Sequence, residues 1–129
     1  MDHDSKDLTI MQLNCNSIRN KSNEIRTIIN EEKRKGLLPV LIANDTRLSS
    51  CDDFNIENYF CIRKDHHSNT HVARGVAAFI PSKISIKNLE AYNLLPIESL
   101  VFEFEHCKRK FKVVTIYTHP GQTIPDGFF

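Results

Sequence analysis

Asn14, Asp45 and Tyr117 are an amide, a carboxylate and a phenol, and each stands just beyond an apolar run that reads as a buried strand. The first run, Leu8-Thr9-Ile10-Met11-Gln12-Leu13, ends in Asn14, with Cys15-Asn16-Ser17 behind it. The second, Leu38-Pro39-Val40-Leu41-Ile42-Ala43, ends in Asn44-Asp45-Thr46, and residues 111–116 end in Tyr117-Thr118-His119-Pro120. In open α/β sheets, sites form in the crevice beyond the carboxyl ends of the strands. An amide and a carboxylate delivered to such an edge offer hard oxygen donors, the kind a divalent cation takes.

Positioning these groups requires a strand, a helix and a strand at the start of the chain. Ser17 or Asn20 is placed to cap a helix over roughly residues 21–35. Ile25, Ile28 and Ile29 have the i, i+3, i+4 spacing of a core face, while Glu24, Arg26, Glu31 and Lys33 turn toward water. The basic turn Lys33-Arg34-Lys35 suits the negative helix end, and Gly36 is the expected stop. Residues 58–63 and 75–80 then read as two strands joined by a polar loop, and residues 100–105 alternate as a half-buried strand. A turn over residues 106–110 makes an antiparallel hairpin with the final strand, and residues 124–129 look like the cap of a further helix. The fold class is therefore α/β, with a mixed β-sheet and one early helix.

The 129 residues suit one domain with a real core. With 40% hydrophobic and 26% charged residues the class is globular rather than disordered. Seventeen Lys and Arg balance sixteen Asp and Glu, which argues against a nucleic-acid binder that works through bulk positive charge but leaves room for local phosphate contacts. Residues 1–7 have no apolar core and read as a disordered tail rather than a secretory signal. No apolar stretch approaches the roughly 20 residues that cross a bilayer. Cys15, Cys51, Cys61 and Cys107 are scattered, with no C-x-x-C pair, and read as reduced thiols in an intracellular protein.

The motifs, in this order, resemble the endonuclease/exonuclease/phosphatase family of Mg²⁺-dependent phosphodiesterases, and most closely the endonuclease domain of non-LTR retrotransposons. Gln12-Leu13-Asn14-Cys15-Asn16-Ser17-Ile18 is similar to the family's opening motif. Asn44-Asp45-Thr46-Arg47-Leu48 stands where the family has Gln-Glu-Thr, an aromatic and Leu. Arg63-Lys64-Asp65, Arg74-Gly75-Val76-Ala77 and Ile116-Tyr117-Thr118-His119-Pro120 match three later motifs. The likeness covers residues 8–129. It implies the first half of a four-layered α/β sandwich, Mg²⁺ or Mn²⁺ as cofactor, and DNA or another phosphodiester as substrate. It implies nuclear localisation for a functional retroelement product. By the same resemblance Asn14 orders the metal-water and phosphate network, Asp45 takes the place of the metal-binding glutamate, and Tyr117 bonds the scissile phosphate region. One carboxylate, one amide and substrate oxygens form a normal Mg²⁺ shell, and the ion would offset charge in an in-line displacement.

Two departures follow from the match. Asp is one methylene shorter than Glu, a shortfall of ~1.5 Å at a metal that tolerates little misplacement. The family's Asp-x-Asn and Ser-Asp-His, which supply the acid–base step, do not follow Tyr117 in these residues. The expectation is a domain truncated at its C-terminus, unable to cleave DNA alone, with the first sheet's inner face uncovered and open to self-association. A non-catalytic binding module on the same scaffold is the alternative.

Plainer readings compete for each residue. Asn14 suits a turn asparagine, Asp45 a local cap, and Tyr117 a strand-edge aromatic. Cys61, His67 and His71 have spacing that invites zinc, but without a matched second pair a polar hairpin loop is the better reading. Lys33-Arg34-Lys35 and Lys108-Arg109-Lys110 are able to touch phosphates, yet such short runs are more often solvated surface. Cys15 reads as a buried small hydrophobe, with no histidine near in sequence to activate it.

Overall fold

The computed structural model describes residues 6–49, 51–65, 75–94 and 97–118, excluding the side chains of residues 88, 91–94, 97, 98, 117 and 118. The expected helix cap at 124–129 and the histidines His67 and His71 lie outside the described residues. The elements run β1 (Asp7–Asn14), α1 (Ser22–Arg34), β2 (Leu37–Asn44), β3 (Tyr59–Lys64), β4 (Val76–Pro81), β5 (Ile86–Leu94), β6 (Ile97–His106) and β7 (Arg109–Thr118). Strand pairing begins at Asp7, opposite Leu37, so Asp7 does not belong to a disordered tail.

Two sheets form. The first has the order β1-β2-β4-β3, and the second β5-β6-β7. β1 and β2 pair in parallel, as a strand–helix–strand crossover requires, and every other pair is antiparallel. Side chains alternate across a strand, so the unbroken apolar run of β2 implies a strand covered on both faces. Leu41 and Ala43, with Ala77 and Phe79 of β4, face α1, where Ile25 and Ile29 meet them. Val40 and Ile42, with Val76, Ala78 and Ile80, face the second sheet and pack on Leu100, Phe102 and Phe104. The result is three layers: helix, mixed sheet, antiparallel sheet. Pro39 is accommodated in β2 because the ladder to β4 begins only at Leu41. Its carbonyl accepts the Tyr59 hydroxyl at 2.9 Å.

Three expectations change here. The inner face of the first sheet is not bare, because the chain's own β5–β7 sheet covers it. The face on which self-association was expected packs instead on Leu100, Phe102 and Phe104 of the same chain. Among the described residues, the large exposed apolar side chains are Ile10, Phe60, Leu89 and Val114, on four different strands. The helix matches its expected span, but its N-cap position is Lys21, which makes no side-chain cap bond. Ser17 is diverted: its backbone N–H pairs with the Asp45 carbonyl at 2.9 Å, and Lys21 reaches back with its amine to the Cys15 carbonyl. Ile28 is only half-buried, so Ile25 and Ile29 carry the core face. β5 also had no signature, its ladder to β6 being interrupted between Lys87 and Glu90. The β6–β7 hairpin closes on Cys107 and Lys108, with φ of 51° and 63°, the left-handed pair that a two-residue turn of this kind needs.

Candidate functional site at the strand ends

Asn14 and Asn44 close β1 and β2 and are register partners. The parallel pairing does not stop there. Cys15 N–H donates to the Asn44 carbonyl at 2.8 Å, Ser17 N–H to Asp45 at 2.9 Å, and Ile18 N–H to Thr46 at 3.0 Å. The two loops are thus zipped together beyond the strands, and Thr46 N–H ties them to Gly75 ahead of β4 at 3.2 Å. This path takes four side-chain-bearing residues into left-handed backbone: Asn16 at 48°, Ser17 at 81°, Asp45 at 57° and Arg47 at 57°. Asn and Asp adopt it with little difficulty, whereas for Arg it costs roughly 1–2 kcal/mol. Gly75 sits at φ 107°, and a Cβ there would lie 2.6 Å from the Thr46 hydroxyl. Only glycine fits.

Asp45 is buried, and its two carboxylate oxygens are held in a fork by Arg47, Nε to Oδ1 and Nη2 to Oδ2, both at 3.2 Å. Asn44 beside it is also buried. Its amide oxygen accepts from Gln12 Nε2 at 2.7 Å, while its Nδ2 and the Thr46 hydroxyl have no hydrogen-bond partner among the described residues. A buried donor without an acceptor costs about 1–3 kcal/mol and suits an anionic oxygen. Asn14 is exposed at the rim. Tyr117 lies on β7 with its backbone opposite Glu98, and its side chain is outside the description.

The surrounding arginines are similarly paired. Arg19 bridges Asp52 at 2.8 Å and donates from Nε to the Arg47 carbonyl at 3.3 Å. Arg63 clamps the loop after β2 by donating to the Ser49 and Asp52 carbonyls at 3.1 and 2.6 Å, and it bridges Asp65 at 3.3 Å. The Arg63-Lys64-Asp65 motif therefore fastens β3 to the loop that carries Asp45. The Ser49 N–H bond, ahead of the nearby arginines, holds the Asp52 carboxyl below the usual carboxylate range. Burial pushes the Cys15 thiol up, away from nucleophile behaviour, and pushes Cys61 up to about 11.

A Mg²⁺ or Mn²⁺ ion needs oxygen ligands in near-octahedral geometry. Here both Asp45 oxygens face a guanidinium and the Asn44 oxygen faces Gln12. Among the described residues there is no group of three or more His, Cys, Asp or Glu able to hold a metal ion. In this arrangement the residues do not fit the ion. Asn14 and Asp45 are brought to one edge as their strand-end positions require, but Arg47, Asn44, Thr46 and Gly75 shape that edge equally. Gly75, at least, had a visible signal, since a glycine opening an apolar strand marks a close backbone approach.

Comparison of the chain with family models, curated proteins and solved structures finds no match. Among the described residues no helix is long and apolar enough to cross a membrane.

Proposed function

We propose that this chain is a retroelement-derived relative of Mg²⁺-dependent DNA endonucleases that does not cleave phosphodiesters by itself. The reading rests on five motifs in register with that family, and its inactive half on one observation: the Asp45–Arg47 fork. With both carboxylate oxygens engaged by Arg47, the group best placed to bind a metal is neutralised by its own neighbour. The alternative, a non-catalytic binding module on the same scaffold, is favoured by the buried Asn44 Nδ2, which has no hydrogen-bond partner among the described residues and which an anion would satisfy.

Plasmid nicking with added Mg²⁺ or Mn²⁺ tests the first reading. The expected result is intact supercoiled plasmid with the wild-type chain. Robust nicking that disappears in Asp45→Ala overturns it. The retroelement origin has its own check: coding sequence around this gene should contain the two absent motifs or a reverse transcriptase. A locus with neither sinks that part of the reading.

A further inference from the structure

Among the described residues, β1, β3, β5 and β7 are the edge strands of the two sheets. Three of them carry a feature that discourages a further strand. β3 is six residues long and ends in Arg63-Lys64, β5 breaks register between Lys87 and Glu90, and β7 opens with Arg109, Lys110 and Lys112. Short length, irregular register and charged side chains all hinder pairing at an edge. β1 is the exception. It runs eight residues in unbroken register with β2, and from Leu8 to Asn14 it holds no charge, proline or glycine.

The backbone defines which groups this edge offers. Just past β1, the Cys15 N–H points to β2, where it meets the Asn44 carbonyl at 2.8 Å. Backbone groups alternate in direction along a strand, so those of Leu8, Ile10 and Gln12 point away from β2. Ile10 stands in the middle of this row. Its ladder partner Val40 is fully buried, yet Ile10 itself is 50% exposed, so its outer side is open. By the same alternation Ile10 shares the face of Leu8, toward the second sheet, while Met11 and Leu13 face the helix layer.

We propose that β1 is the docking edge for a second copy of this chain, paired antiparallel about a twofold axis through Ile10. A twofold axis perpendicular to the sheet makes the two β1 strands antiparallel and keeps each face continuous across the join. Opposed residues must then face the same way, and centring the pair on Ile10 satisfies this. Ile10 exchanges both N–H···O bonds with Ile10 of the second copy. Leu8 and Gln12 do the same on either side, all through the outward backbone groups. The two half-exposed isoleucines meet on the face toward the second sheet, and Thr9 meets Met11 on the helix face. No charge opposes a like charge, because Asp7 falls opposite Leu13 and the two Asp7 side chains lie at opposite ends of the pair. A second copy is the occupant that matches this row by symmetry, each outward donor finding its own acceptor. Each copy has one such edge, so the assembly closes at two. The pairing depends neither on Asp45 nor on the phosphodiesterase reading.

The test is sedimentation velocity on the full chain at concentrations from about 1 to 500 μM. One strand per partner is a small interface, so a reversible monomer–dimer equilibrium with Kd of about 10–100 μM is expected. Ile10→Lys sets two like charges against each other at the axis and should weaken the dimer about tenfold or more, as should Ile10→Glu. Mixing these two variants brings an ammonium against a carboxylate and should restore a dimer. Val114→Lys, the same change at an exposed apolar position on β7, should shift Kd less than about twofold. Position 10 is half exposed, so circular dichroism of the variants should match the wild type. A chain that stays monomeric over the whole range overturns the inference, as does growth beyond the dimer. So does a dimer that Ile10→Lys leaves intact, a loss in Val114→Lys equal to that in Ile10→Lys, or a mixture of the two folded charge variants that stays monomeric.

Discussion

The two ends of the sandwich arrange charge differently. Where β1 and β2 finish, Asp45 holds Arg47, Asp52 holds Arg19 and Asp65 holds Arg63, so charge is cancelled pair by pair. Where the same strands begin, roughly 23 Å away at about 3.3 Å per residue, the charges are ladder neighbours across the second sheet, Lys87 and Lys112 beside Glu103 and Lys110 beside Glu105. The backbone differs as well. The paired end forces Asn16, Ser17, Asp45 and Arg47 into left-handed conformation, whereas among the described residues the other end has it at Gly36, at Asn58 and in the hairpin turn. Strain and neutralised charge occur together at the first end, which is the signature of a tightly determined local structure. Exposed cross-strand charges on ordinary strands mark the second as a surface less tightly determined than the first.

That contrast predicts unequal responses to mutation. The largest should come from Gly75→Ala, which places a methyl against the Thr46 hydroxyl in a backbone region that resists it. A loss of about 3 kcal/mol in urea unfolding is expected. Arg47→Ala should cost about 1 kcal/mol, because the ion pair is partly screened by solvent. Arg47→Gly should cost less than Arg47→Ala, since glycine relieves the left-handed strain that alanine keeps. If the two variants are equally stable, strain at this loop is not part of its energetics. At the other end, Lys108→Glu/Lys110→Glu should change stability by no more than about 0.5 kcal/mol, as ordinary surface substitutions do. The smallest effect is a pH dependence confined to the paired end. Asp52 is held below its usual pKa, so its contribution is present above about pH 4 and is lost as pH falls through the folded value. Asp52→Asn should flatten the acid limb of the unfolding midpoint, and an unchanged limb removes Asp52 from that role.

The sequence made the β1–α1–β2 unit and the β6–β7 hairpin readable because in each the local pattern and the tertiary role agree. Ile25 and Ile29 have helical spacing and are buried, and Phe102 and Phe104 alternate and are buried. Ser17 misled because a competing backbone partner, the Asp45 carbonyl, drew it away from the helix. The expectation of a bare inner face failed because β5, with its interrupted register, went unseen, leaving the covering sheet without its third strand. For the site, strand-end placement of Asn14 and Asp45 was legible. The Asp45–Arg47 fork was not, since it forms on left-handed backbone at both residues, and nothing in an arginine announces that.

β2 and β4 are covered on both faces, by the helix on one side and by the second sheet on the other. Their amides can meet solvent only when one of the two flanking layers has already come away. Hydrogen exchange should therefore be slowest along Val40, Leu41, Ile42, Ala78 and Phe79, approaching the rate set by global opening. α1 and the β6–β7 hairpin never need to touch to sense each other. Each rests on the same pair of strands, so loosening one layer lowers the protection measured under the other.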